Sequence, residues 1–189
     1  MKASKTRALF LDRDGVINRP IFIRGRIYSP RYLNEFKVLP RVKQALEKAA
    51  KLNLKIIVFT NQPDIARGFS RKEDVEKIHG YLLKKYHVDD ILVCPHDDKD
   101  RCKCRKPKPG MLFKAARKWK VDLKRSFVVG DRWKDVAAGN RAGCTTFLVN
   151  SNYYGKDKVV ECDYTVDSLY YAVDMISKTM LKQKRRSKA

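Results

Sequence analysis

At 189 residues, 43% of them hydrophobic, the chain is long enough for one domain with a sizeable core and too apolar for a disordered segment. Lys and Arg number 43 against 21 Asp and Glu, a formal charge of +22 that draws in phosphorylated metabolites, nucleic acid or other anions without specifying a fold. No run approaches the roughly 18 uninterrupted apolar residues of a membrane span, and Ala8–Leu11 behind the polar Met1–Arg7 is too short for a secretory h-region. A soluble, cytoplasmic, monomeric protein without a membrane partner is the expectation.

Strand-like and helix-like segments alternate along the chain. Ala8–Leu11 is a short apolar run that ends at Asp12. Val42, Ala45, Leu46 and Ala49 recur at helical spacing, and a strand over Leu54–Phe59 follows. Val75, Ile78, Leu82 and Tyr86 mark a second helix, and Ile91–Val93 a third strand. Pro109 suits the first turn of a helix whose apolar face is Leu112, Ala115, Ala116 and Trp119. Phe127–Val129 is a fourth strand, closed by Gly130-Asp131; a short helix over Val136–Ala142 and a strand over Thr145–Val149 come next. Leu169, Val173, Ile176 and Met180 define the last helix. The pattern predicts one domain over 1–181 and a frayed basic tail over 182–189.

Such alternation predicts an α/β fold, with right-handed crossovers and a Rossmann-like parallel sheet covered by helices on both faces. Ligands of these folds bind beyond the carboxyl ends of the strands. The polar residues of interest fall at those ends: Asp12 and Asp14, Thr60 and Asn61, and Asp131. If the chain stays extended past Asp12, the Asp12 and Asp14 carboxylates point the same way, and two acids that close favour a cation between them or a proton on one. Hard oxygen donors suit Mg²⁺. Lys106 can neutralise developing charge, and Asp135 follows Asp131 at helical spacing, as a ligand or an orienter behind one.

Three of the five cysteines cluster. Cys94 and His96, then Cys102 and Cys104 after five intervening residues, form a Cys₃His set that suits tetrahedral zinc with no open position. The zinc would be structural, stapling a loop with little core of its own and fixing Arg105 and Lys106 beside the site. Cys144 and Cys162 stand apart, and His79 and His87, on the second predicted helix, carry no expected chemistry.

The order D-x-D-G-V over Asp12–Val16, strand plus Thr60-Asn61, Lys106, then V-G-D-x-x-x-D over Val129–Asp135 resembles the haloacid dehalogenase superfamily of phosphatases. The resemblance implies that Asp12 is the nucleophile and Asp14 the general acid, then base. It further implies that Thr60 and Asn61 orient phosphoryl oxygens and that Lys106 stabilises their charge. Mg²⁺ would be held by the Asp12 carboxylate, the Asp14 carbonyl and Asp131, with Asp135 behind. Together with the Cys₃His set, Cys104–Met111, Ile65–Gly68, Asn61-Gln62 and Gly25–Pro30 resemble the branch of heptose bisphosphate and histidinol-phosphate phosphatases. That branch implies a small phosphorylated sugar as substrate, in nucleotide-heptose and cell-surface polysaccharide synthesis, met by Arg105, Lys106, Arg67 and Asn18. Spacing between the motifs leaves no room for a separate cap domain. A histidinol-phosphate phosphatase is the nearest alternative. The basic charge keeps a polynucleotide 3′-phosphatase open, although no nucleic-acid motif or aromatic stacking platform accompanies it. An inactive basic binding module is the remaining alternative, opposed by the intact acids.

Overall fold

The computed structural model describes residues 6–151, Tyr153 and residues 158–186; side chains are described as far as Lys182. Six parallel strands form one sheet: β1 (Ala8–Leu11), β4 (Lys55–Asn61), β5 (Asp90–Cys94), β6 (Phe127–Gly130), β7 (Thr145–Val149) and β8 (Tyr164–Val166), in the order β5-β4-β1-β6-β7-β8. The helices are α1 (Val42–Lys51), α2 (Lys72–Lys85), α3 (Gly110–Trp119), α4 (Trp133–Ala142) and α5 (Leu169–Arg186).

Strand β1 is the middle of the sheet and all four of its residues are buried, so both of its faces must be apolar. Leu9 and Leu11 join Ile56, Val58 and Val129 in a core closed by Leu46 of α1, Ile78 and Leu82 of α2, and Val173 and Ile176 of α5. Ala8 and Phe10 point the other way and pack with Ile57, Phe59 and Val128 under Met111, Leu112 and Ala115 of α3 and Ala138 of α4. The side-chain period of two thus sends neighbouring residues of one strand into two cores. The sheet is covered on both faces, as the alternation predicts.

The chain runs outward from β1 to β4 and β5, then returns to the other side of β1 as β6. That reversal makes the carboxyl ends of β4, β1 and β6 neighbours and opens a crevice above them.

Two elements escape the periodicity. A two-stranded antiparallel hairpin, β2 (Ile21–Ile23) and β3 (Arg26–Tyr28), lies between β1 and α1. Its two-residue turn, Arg24-Gly25, has φ of 47° and 73°, the left-handed pair of a tight hairpin turn that glycine adopts without a steric cost. Strand β8 adds an edge that the sequence pattern did not mark. The last helix also continues through Arg186, so residues 182–186 of the expected frayed tail have helical backbone, while 187–189 lie outside the described residues. Among the described residues no helix is long and apolar enough to cross a membrane.

Candidate active site

Asp12 leaves the end of β1 with its N–H bonded to the Val129 carbonyl of β6 at 3.0 Å, so the backbone of the neighbouring strand fixes where its carboxylate starts. The Lys106 Nζ donates to Asp12 Oδ1 at 2.6 Å, pairs with Asp135 Oδ1 at 2.6 Å and donates to the Phe59 carbonyl at 2.9 Å. Lys106 is buried and comes from the loop after β5, a region distant in sequence from both acids. Its placement depends on Asn61 at the end of β4. The Asn61 amide donates to the Lys106 carbonyl at 3.2 Å and its oxygen accepts the Lys106 N–H at 3.1 Å.

Asp131 follows β6. Asp12, Asp131 and Asp135 can each bring an oxygen within 4.8 Å of the others, and all three are buried. Asp131 Oδ2 accepts from Ser151 at 3.2 Å, while its Oδ1 is buried without a hydrogen-bond partner among the described residues. An orphaned carboxylate oxygen among converging acids fits a hard divalent cation, which takes carboxylate oxygens and keeps waters for substrate oxygens. Asp135 is differently placed: Oδ1 meets Lys106 and Oδ2 accepts the Arg132 N–H at 3.0 Å, capping α4, so both of its oxygens are already engaged.

Burial, with the charges of Asp135 and Asp14, pushes the Asp12 carboxyl up to about 7, against the lowering by Lys106. Burial, Asp12 and Asp135 likewise push Asp131 well above the usual carboxylate range. Burial would lower Lys106, but Asp12 and Asp135 outweigh it and raise the ammonium. The two partners of the Asp12–Lys106 pair therefore pull apart. The charged lysine is the firmer of the two, because one cation faces several buried acids.

Asp14 departs from the extended geometry expected of it. The chain turns back at once: the Ile17 and Asn18 N–H groups both reach the Arg13 carbonyl, and Gly15 has φ of 93°. A Cβ on Gly15 would lie 1.7 Å from Asp131 Oδ2, so the glycine of D-x-D-G makes room for the third acid. The Asp14 carboxylate is held apart from Lys106. It accepts from Arg13 Nη2 at 3.0 and 3.1 Å, Asn18 Nδ2 at 2.9 Å, Ser29 Oγ at 2.8 Å and Gln62 Nε2 at 2.9 Å. Burial alone would raise this carboxyl; Arg13 and the hydrogen bonds outweigh it and hold it low. Gln62 also donates to Thr60 Oγ1 at 2.8 Å, which ties the end of β4 to Asp14.

These groups open into one cavity of about 950 Å³. Asp12, Asp14, Thr60, Asn61 and Lys106 lie in it, and Arg26, Arg31, Arg67, Arg105, Arg132 and Lys134 contribute to its walls. Arg67 and Arg105 reach the cavity as expected, each steadied by an acid: Arg67 by Asp97 at 2.8 and 2.9 Å, Arg105 by Asp98 at 2.7 Å. Asn18 does not. It is fully buried and its amide is spent on Asp14 and the Arg19 carbonyl, so it stands behind Asp14 instead of meeting a ligand.

The Cys₃His set closes on itself. Cys104 Sγ lies 3.3 Å from Cys94 Sγ, 3.4 Å from Cys102 Sγ and 3.4 Å from His96 Nδ1. Four soft donors at tetrahedral-edge separations, without a disulfide, fit a zinc ion whose arms are about 2.0–2.3 Å. Two contacts run from this knuckle to the cavity wall: the Arg105 N–H donates to Cys102 Sγ at 3.4 Å, and Arg105 Nη1 donates to the His96 carbonyl at 3.2 Å.

Several participants went unassigned in the sequence reading. Arg13 is the spacer of D-x-D and His79 a single histidine on a helix, and neither position signals a role by itself. Gln62 belongs to the Asn61-Gln62 pair that resembles the heptose enzymes, but the resemblance assigns it no role. Ser29 arrives just after the β2–β3 hairpin, in the Gly25–Pro30 segment that resembles the heptose enzymes without assigning it a role, and Ser151 comes on a late loop with no local pattern.

A family model described as HAD-hydrolase-like matches residues 103–172. The chain is 37% identical over 167 residues to the D-glycero-alpha-D-manno-heptose-1,7-bisphosphate 7-phosphatase of Photorhabdus laumondii, a match spanning 81% of this chain and 87% of that protein. It is 36% identical to the D-glycero-beta-D-manno-heptose-1,7-bisphosphate 7-phosphatase of Helicobacter pylori, over 72% of this chain and 78% of that one. Among solved structures, the D,D-heptose 1,7-bisphosphate phosphatase from B. bronchiseptica, complexed with magnesium and phosphate, superposes with a TM-score of 0.79 at 29% identity, covering 92% of this chain and 99% of that one. By sequence and by fold, the chain belongs to the haloacid-dehalogenase-like hydrolases, within the family of heptose-1,7-bisphosphate 7-phosphatases.

Proposed function

We propose that this protein is a Mg²⁺-dependent phosphatase that removes the 7-phosphate of D-glycero-D-manno-heptose 1,7-bisphosphate in the cytoplasm, through an acyl phosphate on Asp12. The observation that carries the reading is the lysine-bridged acid cluster at the adjacent ends of β1 and β6, with a separately held carboxylate, Asp14, on the same cavity. Phosphoryl transfer needs little beyond positioning and charge stabilisation, and this arrangement supplies both.

In this reading the Asp12 carboxylate attacks phosphorus as the bond from phosphorus to the sugar oxygen breaks. The incoming phosphate dianion opposes the donors that hold the Asp14 carboxyl low, so Asp14 takes up a proton on substrate binding, gives it to the departing oxygen, then takes one from the water that attacks phosphorus and releases Asp12. Lys106, held by Asn61, balances charge on Asp12 and the transferring group. Thr60 offers a hydroxyl to the phosphoryl oxygens. The Asp12 and Asp131 carboxylates and the Asp14 carbonyl would hold Mg²⁺, with Asp135 fixing Lys106 behind them. When bound, Mg²⁺ neutralises the phosphoryl oxygens. Arg67 and Arg105 would meet the rest of the phosphosugar, and zinc at Cys94, His96, Cys102 and Cys104 would keep Arg105 in place.

The test is phosphate release by purified protein with Mg²⁺. The substrates are both anomers of the heptose bisphosphate, histidinol phosphate and a 3′-phosphorylated oligonucleotide. Fast release from a heptose anomer that Asp12→Asn abolishes is the expected result. Preference for histidinol phosphate or for the oligonucleotide would overturn the assignment of substrate, and no release from any of them would overturn the assignment of activity.

A further inference from the structure

The strand-end cluster does not account for one buried group on α2. His79 is buried, and its Nε2 lies 3.1 Å from Nη1 of Arg13, a residue with no exposed surface at all. A guanidinium only donates hydrogen bonds. The Nε2 of His79 is therefore the acceptor, the proton sits on Nδ1, and the ring is neutral. Burial and the Arg13 charge agree with this, pushing the imidazole down to about 3.

The remaining edge of the same guanidinium grips Asp14. Nε reaches Oδ1 at 3.2 Å, and Nη2 reaches Oδ1 at 3.1 Å and Oδ2 at 3.0 Å. The guanidinium is planar and rigid, so an acceptor at one corner fixes the orientation of the opposite edge. Helix α2, itself set in the core by Ile78 and Leu82, thereby reaches through Arg13 to the carboxylate. We propose that His79 is a positioning residue for the acid–base step, anchoring the Arg13 guanidinium so that it presents Asp14 to the reacting oxygens. The inference rests on the reading of Asp14 as the acid and base of the phosphatase.

A positioning role predicts a selective defect. His79→Leu removes the acceptor and keeps the bulk; His79→Gln offers a replacement carbonyl oxygen. On the heptose bisphosphate, whose alkoxide leaving group needs a proton, His79→Leu lowers kcat about 10- to 100-fold, a part of the roughly 10²–10⁴ that general acid–base catalysis contributes, with KM within about twofold. On p-nitrophenyl phosphate, whose leaving group departs without a proton, the first-turnover burst of nitrophenolate stays within about threefold of wild type. His79→Gln recovers most of kcat. If the leucine variant does not fold, Arg13→Lys, which keeps the charge and removes the bridge, is expected to give the same split between substrates. Equal losses on both substrates, a rise in KM with kcat intact, or no recovery with glutamine would overturn the role of His79. A wild-type protein inactive on both substrates would overturn the phosphatase reading itself and this inference with it.

Discussion

Replacing Lys106 with methionine tests whether one buried cation holds the acid cluster together. The Nζ sits 2.6 Å from both Asp12 Oδ1 and Asp135 Oδ1, and the residue is 3% exposed, so water cannot substitute for it. Methionine keeps the stem packed near Phe59, whose ring centre is 4.3 Å from Nζ, and removes only the charge. Removing one partner of a buried ion pair costs about 3–5 kcal/mol, because the other is left uncompensated. At about 2–4 °C per kcal/mol for a domain of this size, the melting temperature in EDTA should fall by roughly 6–20 °C. Loss of the charge that balances the transferring group should lower kcat by about 10²–10³ or more. Mg²⁺ should restore part of the stability, since it binds the same acids, but not the rate. A variant within about 1 kcal/mol of wild type and within threefold in kcat would refute the reasoning.

Three further outcomes follow from other parts of the site. Gly15→Ala puts a Cβ 1.7 Å from Asp131 Oδ2 at a φ of 93°, and should abolish phosphate release and reduce Mg²⁺ binding measured by calorimetry. Elemental analysis should find about one zinc per chain, lost in Cys104→Ser, with a rise in KM for the phosphosugar as the Arg105 wall loosens. The neutral His79, about 3 when folded against an ordinary 6.5, gives a pH dependence of definite sign. Below pH 6.5 the unfolded chain takes up a proton that the folded chain refuses, so this residue makes stability fall as pH falls, with a slope approaching about 1.4 kcal/mol per pH unit. Urea midpoints between pH 7 and 5 should decline less steeply in His79→Gln than in wild type.

The sheet was legible because its strands are buried on both faces, and uninterrupted apolar runs such as Ala8–Leu11 and Ile56–Phe59 have few other readings. Asp12 and Asp131 were legible for a related reason: each follows directly on such a run, where a parallel sheet places its ligands. The β2–β3 hairpin was not legible, since three-residue strands with exposed Phe22 and Ile23 carry no period long enough to detect. Ser29 stands in the Gly25–Pro30 segment that resembles the heptose enzymes, but its hydrogen bond to Asp14 depends on where the hairpin delivers it. The turn after Asp14 depends on a glycine conformation that an extended reading misses, and so the two acids of D-x-D turned out to face different partners. His79 and Arg13 meet across 66 residues of chain, a contact that only the packing of α2 on the sheet creates.

The central claim is that phosphate passes through Asp12, and a single-turnover experiment with ³²P-labelled heptose 1,7-bisphosphate tests it most directly. After acid quenching within the first turnover, label should be found on the protein, released by hydroxylamine as expected of an acyl phosphate, mapped to the peptide containing Asp12 and absent from Asp12→Asn. Label that passes to phosphate with none on the protein at any time, or that settles on another residue, would contradict the account.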